Sequence, residues 1–470
     1  VSGADAVAEA PVVAALLQAL PADRVLPRDP DVMAAYAADD AEWAPVGSPA
    51  AVVMPLSTAE VQAVVRACLA YGVPVVPRGA GTGLSGGANA VDGCVLLDLS
   101  AMAQIHEINP LERLAVVGPG VVNDTLRAAC AEQDLWYPPD PASAPWSTIG
   151  GNVATNAGGV CCVKYGVTRD YVLGLEVVNG LGEMVRLGRR TAKGVAGYDL
   201  VGLLTGSEGT LGVITEVTVR LRGARPPERI IAGYFDRLVD AGRGVAEVAA
   251  AGITPSALEL VDSACLQAVD EWLSMGLSTE ANVMLLAATD LPGDAGAAEA
   301  AAIRDAFVAG GATFAAVAGD KLEGEALFAA RRLAYPALER LGPVLTEDVC
   351  VPKGRVPEML ARIEDIGRRH EVRLANIAHA GDGNLHPLLI VPAGDDAARR
   401  RAQAAFDEII AAAIELGGTV TGEHGVGLLK MEGLAAEVSP EAMAMFQAVK
   451  RALDPHGILN PGKVVPLPPG

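Results

Sequence analysis

The run Pro77-Arg78-Gly79-Ala80-Gly81-Thr82-Gly83-Leu84-Ser85-Gly86-Gly87 decides how this chain is read. It follows a short apolar strand, Val73 to Val76, and Gly81-x-Gly83-x-x-Gly86 has the spacing of a dinucleotide-binding loop. That motif must open a helix, whose N-terminus then receives the pyrophosphate. Here the chain runs through Asn89, Asp92 and Gly93 straight into another strand, Cys94 to Leu99, with no helix between. A nicotinamide-binding βαβ unit is therefore set aside. The glycines still let successive backbone N–H groups close around phosphate oxygens without a formal positive charge.

Two further glycine-rich regions follow. One is Thr148-Ile149-Gly150-Gly151-Asn152-Val153-Ala154-Thr155-Asn156-Ala157-Gly158-Gly159, the other Thr205-Gly206-Ser207-Glu208-Gly209-Thr210-Leu211-Gly212. Tight turns would explain any one of them. Three in one apparent domain, among largely uncharged neighbours, suit a long pyrophosphate cofactor threaded between strands.

The elements around them can be read from period and caps. Pro11 opens a helix whose apolar residues run to Leu20. Ala51 to Met54 is a strand, and Ser57-Thr58-Ala59-Glu60 is a capping box for a helix ended by Gly72. Leu114 to Val117 is a strand, Asn123 to Gln133 a helix, and Val213 to Leu221 an alternating strand. At the basic, Pro-containing stretch Gly223 to Glu228 the composition shifts to Ala-rich helix with short strands such as Ile230 to Phe235 and Val283 to Ala288. The expected division is 1–224, 225–418 and a C-terminal segment 419–470.

Bulk properties narrow the function. The 470 residues are 51% hydrophobic but only 4% aromatic, so the cores must be built from Ala, Val and Leu. A net charge of −21 repels a phosphate backbone and an anionic membrane surface, which excludes nucleic acid as a partner. No stretch is long and apolar enough for a membrane span. Asp5 and Glu9 stand where an export signal would be basic, and seven cysteines without a CxxC pair fit reduced thiols, so a cytoplasmic location is expected.

The six histidines differ in weight. His106, His370 and His456 are expected to be structural or solvated. His379 and His386 flank Ala380-Gly381-Asp382-Gly383-Asn384-Leu385, and Glu423-His424 lies in Thr421-Gly422-Glu423-His424-Gly425-Val426-Gly427. Two imidazoles and a carboxylate can hold a divalent metal with open coordination positions. On spacing alone such a set is more often a coincidence than a site. Arg331-Arg332 sits on a helix, Glu325 to Tyr335, stopped or kinked at Pro336. Neighbours there point about 100° apart, so one at most is expected in a pocket.

Taken together, Pro77 to Gly87, Ile149 to Asn152, Asn156 to Gly159, Gly197-Tyr198-Asp199-Leu200 and Gly206 to Gly212 resemble the FAD-binding domain of the vanillyl-alcohol-oxidase family. Within it they are most similar to the glycolate oxidase, D-lactate dehydrogenase and D-2-hydroxyglutarate dehydrogenase branch, over about Val52 to Lys463. The resemblance implies an α+β fold: a two-subdomain FAD-binding domain plus a cap domain with an antiparallel sheet and helices. It implies that Pro77, Arg78, Gly79, Ala80, Gly81, Thr82, Gly83 and Leu84 wrap the pyrophosphate. Pro139, Gly150, Gly151, Asn152, Asn156, Gly158, Gly159, Glu208, Gly209, Ile214 and Asn460 would line the rest. Thr82 stands in a loop with no nearby His, so the FAD is expected to be non-covalent.

The same resemblance makes His379, His386 and Glu423 ligands of a divalent metal (Zn or Mn), His424 the catalytic base and Arg331 the fork for the substrate carboxylate. It implies oxidation of a short D-2-hydroxy acid, glycolate or D-lactate, with hydride passing to flavin N5 and electrons going to a separate acceptor protein, quinone or partner subunit. A homodimer is the expected assembly. Positions that hold a distal carboxylate in the hydroxyglutarate branch are Tyr335, Thr346 and Leu388 here, which favours the short acid. D-2-hydroxyglutarate oxidation and a non-catalytic electron-transfer subunit are the alternatives, and a substrate panel separates them. The non-redox ether-lipid synthase of this fold is disfavoured because its histidine-cluster signature is not apparent. Lys193, ahead of Gly197, is expected near substrate or flavin.

Overall fold

A computed structural model describes residues 11–26, 29–274 and 282–467. Asp5 and Glu9 lie outside the described residues.

The glycine run leaves a small parallel sheet of Ala51–Val53, Val95–Asp98 and Val75–Arg78, with Val95–Asp98 in the middle. Between Arg78 and Val95 there is no helix, as the sequence requires. Ser57 caps the helix Thr58–Tyr71 by accepting from Glu60 N, and Gly72 closes it in the left-handed conformation. Its apolar face, Val61, Val64, Val65 and Cys68, packs on this sheet beside Val12, Val13 and Leu16 of the helix Pro11–Ala19.

A five-stranded antiparallel sheet follows, in the order Ile105–Asn109, Leu114–Val117, Val213–Arg220, Val172–Val178, Met184–Gly188. The second glycine-rich region departs from the loop-like reading. Thr148 accepts from Gly151 N and starts a two-turn helix, Ile149–Thr155, which ends at left-handed Asn156. A side-chain cap at one end and Asn at the other outweigh the low helix propensity of the Gly pair.

Residues 229–390 build a mainly antiparallel sheet of eight strands. It is buried on both faces, which explains its near-continuous apolar runs. Leu258, Leu260, Val283 and Leu285 face a core shared with the helices Leu238–Ala250, Gly293–Gly310, Val356–Arg369 and Asp396–Glu415. Val261, Met284, Leu286, Ile377 and Leu388 face the opposite core, beneath the helices Ser263–Leu273 and Lys321–Glu339. The period of two places Glu259, His379, His386 and Thr346 on this second face. The helix Lys321–Glu339 runs on through Pro336 instead of stopping there.

The chain then returns to its start. Val75 N donates to Ile458 O, and Ile458 and Leu459 join the core of the first sheet. The last segment is thereby fixed behind the first glycine loop. Among the described residues, no helix is long and apolar enough to cross a membrane.

Candidate active site

One cavity of about 1680 Å³ runs from the glycine loops to the second face of the large sheet. Pro77, Arg78, Gly79, Ala80, Gly81, Thr82, Gly83 and Leu84 line it, as do Gly150, Gly151, Asn152, Gly158, Glu208, Gly209 and Ile214. Gly81 has φ +79°, a conformation that only glycine adopts readily. Arg78 turns its guanidinium back onto the carbonyls of Tyr36 and Ala38, bracing the loop.

Four expected cofactor residues stand behind the wall instead. Pro139 O accepts from Asn123 Nδ2 at 3.2 Å, and that amide also donates to Asn152 Oδ1 at 2.9 Å. Asn156 Oδ1 accepts from Arg169 N. A side chain on Gly159 would meet the Asp140 carbonyl oxygen at 2.4 Å. Asn460 donates to the carbonyls of Gly87 and Glu208, tying two glycine loops together. Lys193 lies in a wholly exposed stretch, residues 191–200, away from the cavity.

The far end of the cavity gathers His379, His386, Glu423, His424 and Arg331. Sheet register explains how. Leu260 pairs with Ala378 and Ile377 with His386, so Glu259, His379 and His386 are neighbours on one face. His386 Nδ1 lies 3.2 Å from the carbonyl oxygen of Glu347. A carbonyl can only accept, so the proton is on Nδ1 and the Nε2 lone pair points inward, 3.3 Å from Glu423 Oε1. His379 repeats the arrangement, with Nδ1 2.8 Å from Glu259 Oε1 and Nε2 3.0 Å from the same Glu423 oxygen. Two imidazole Nε2 atoms and a carboxylate thus face one another in a buried pocket. Their ligand atoms lie within 4.8 Å of one another, and the donor set suits a divalent metal. On His379, burial opposes the charge, and the Glu259 and Glu423 carboxylates outweigh it to raise its pKa well above the ordinary value, so a proton sits between Nε2 and Glu423 where a bound metal would take its place.

Asp348, His386 and His424 form a second convergent group. Asp348 is already spent: it accepts from Thr421 Oγ1, the backbone N–H groups of Gly422, Glu423 and His424, and Asn384 Nδ2. It is the anchor of the loop that presents Glu423 and His424. Burial works against its charge, but His424, Lys430 and His386 hold its pKa well below the carboxylate range. His424 stacks on His386 with ring centres 4.9 Å apart. Burial lowers its pKa to about 4, so it is a neutral imidazole at physiological pH.

Arg331 is 7% exposed, whereas Arg332 on the next position is exposed at the cavity mouth. Arg331 Nη2 lies 2.9 Å from Glu259 Oε2, and its buried Nε has no hydrogen-bond partner. Tyr335, one turn on, and Thr346 line the cavity; Leu388 is buried outside it. His370 pairs with Glu408, His106 lies 4.0 Å from Glu216, and His456 is exposed, away from the site. All seven cysteines are free thiols.

Sequence reasoning missed Glu259, Glu347, Asp348 and Lys430, all buried around the site. A signal existed: Glu259 interrupts the apolar strand Ala257–Asp262, and an acid fully buried in a strand needs a partner.

Glycine loops over a long cavity that ends in a buried histidine–carboxylate cluster suit a flavin-dependent oxidoreductase, and the family matches show that class. Residues 49–188 match the FAD binding domain family, and residues 226–464 match the C-terminal domain of the FAD linked oxidases. The chain is 40% identical to the glycolate oxidase subunit GlcD of Bacillus subtilis (strain 168), over 88% of this chain and 89% of that one. It is 36% identical to a D-lactate dehydrogenase of Anaerostipes hadrus, over 88% and 89%. Its fold matches p-cresol methylhydroxylase with a TM-score of 0.80 at 19% identity, over 96% of each chain. The chain belongs to the FAD-linked oxidases, with the two-domain fold of the vanillyl-alcohol-oxidase family.

Proposed function

We propose that the protein oxidises a short D-2-hydroxy acid, glycolate or D-lactate, to the 2-oxo acid. Bound FAD supplies the two-electron acceptor, and a divalent metal, Zn or Mn, on His379, His386 and Glu423 supplies a Lewis acid for the α-hydroxyl. The observation that carries the reading is the convergence of that donor set, neutral His424 and the Arg331 side chain at one end of the flavin-domain cavity.

Arg331, which lines the cavity, pairs with the substrate carboxylate, where Arg is favoured by its fixed donor geometry. His424 takes the proton of the α-hydroxyl, a role that requires the neutral ring. Asp348 holds the backbone of residues 422–424 and so sets where that ring stands. Tyr335, one turn beyond Arg331, and Thr346, on the strand Val344–Thr346, present hydroxyls, not cations, which suits an acid without a distal carboxylate. The glycine loops of 1–224 hold the cofactor, 225–418 caps it, and 419–470 completes the site. Electrons leave to a separate acceptor.

Anaerobic addition of candidate acids to the purified flavoprotein tests this. D-lactate or glycolate is expected to bleach the visible flavin band, and L-lactate is not. A bound flavin that none of these acids reduces would overturn the proposal.

A further inference from the structure

Glu259 is fully buried in the middle of an apolar strand. Its two oxygens serve two different elements. Oε1 lies 2.8 Å from Nδ1 of His379, on the neighbouring strand, and Oε2 lies 2.9 Å from Nη2 of Arg331, on the covering helix. The strand register places it beside His379, and the period of two turns it toward the helix Lys321–Glu339. Neither contact is a surface accident: His379 is 6% exposed and Arg331 7%.

We propose that Glu259 is a positioning residue that couples the metal-binding end of the site to the carboxylate-binding end. This rests on the functional reading above. Toward His379, it holds the proton on Nδ1, so that the Nε2 lone pair faces Glu423 and a cation, and it makes the ring a stronger donor. Toward Arg331, Oε2 makes a buried ion pair with one terminal nitrogen, without hydrogen-bond geometry, while the guanidinium lines the cavity. A planar guanidinium pinned on one edge presents its other donors in one orientation only. One carboxylate thus sets the spacing between the hydroxyl and carboxylate subsites. Neither partner can shift without displacing it, because it has no room to move: Leu258 and Leu260 beside it are packed into the opposite core.

The test is Glu259→Gln in the FAD-loaded protein, read in two ways. Without substrate, ZnCl₂ or MnCl₂ is titrated in competition with a fluorescent chelator. Metal affinity should fall about 10- to 100-fold, the usual effect of losing such an outer partner. With D-lactate or glycolate, KM should rise about tenfold or more, because the arginine loses its brace. Flavin content and the far-ultraviolet circular dichroism should stay as in the unaltered protein. A merely structural role would move those last two and neither of the first. If metal affinity changed without KM, or KM without metal affinity, the coupling would be refuted, as it would if neither changed. Should the Gln variant fail to fold, Glu259→Asp keeps the charge but is one methylene too short to reach both partners. It should impair at least one measurement, and unchanged values of both would also refute the coupling. Metal affinity is read without turnover, so it separates this inference from the substrate assignment. If the unaltered protein's flavin were reduced by none of these acids, the substrate reading would fall, and the KM half of the coupling with it.

Discussion

A β-carbon on Gly158 would stand 2.4 Å from Oε2 of Glu423 and 3.1 Å from its Cβ. The flavin-side glycine segment and the C-terminal carboxylate are therefore built against each other, although 265 positions separate them in the chain (423 − 158). Glu423 is also gripped by His379 and His386 on its other oxygen, so it cannot simply swing aside.

Gly158→Ala should consequently damage the site more than the fold. Overpacking of this kind costs about 1–3 kcal/mol, modest for a chain with several large cores. Displacing Glu423 by a fraction of an ångström disturbs the shared donor set, and misplacement of about 1 Å can cost roughly 100-fold in rate. The expected result is bound FAD and a modestly lowered Tm, with metal content lost and flavin reduction slowed by about that factor. A variant with normal metal content and normal flavin reduction would show that Glu423 moves freely and is no ligand.

His424→Ala should leave FAD bound and slow flavin reduction by about 10²- to 10⁴-fold, the contribution of a positioned base. The pH profile gives a second reading. Burial lowers the pKa of His424 to about 4, and only the neutral ring can accept a proton. Flavin reduction should therefore persist from neutral pH downward and fail as pH drops through about 4. Stopped-flow bleaching across pH measures it. A loss centred near 6.5 would instead mark a solvated histidine.

The fold was legible where local chemistry settles it. The Ser57 cap, the helix stop at Gly72 and the absence of a helix after Gly87 stand as read, but Glu60 accepts from Leu56 N rather than from Ser57 N, so the capping box is only half formed. The helix Ile149–Thr155 was hidden because its Gly pair masks a good cap at Thr148. The large sheet was only partly visible, since burial on both faces removes the alternation that marks a strand. The histidines, Glu423 and Arg331 could be picked from motifs, and the cavity does bring them together. The partners that orient them could not. Glu259 touches His379 across 120 residues and Asp348 holds the loop of His424 across 76, and such spacings leave no trace in a local pattern. Lys193 shows the converse: a cation beside a recognisable motif was expected near the ligand but lies in solvent.

Glu208 offers a test of how the first and last parts of the chain are joined. It lies in the third glycine loop, fully out of solvent apart from 7% exposure, and accepts N–H from Val426 at 2.7 Å and Gly427 at 3.0 Å. Burial pushes its pKa up to about 7, against the pull of those two N–H groups and of Lys463. The folded state thus holds the proton more tightly than the unfolded chain, whose ordinary value is 4.5. The sign follows from linkage: the stabilising contribution is complete below about 4.5 and is lost as pH rises through about 7. Glu208→Gln removes the titration while keeping the shape. The Tm of the unaltered protein minus that of the variant should therefore fall steadily between about pH 5 and pH 8. Thermal unfolding followed by circular dichroism over that range measures the difference. A gap that is flat in pH would show that Glu208 keeps an ordinary pKa, and that the contact between the third glycine loop and residues 426–427 is looser than the two short hydrogen bonds require.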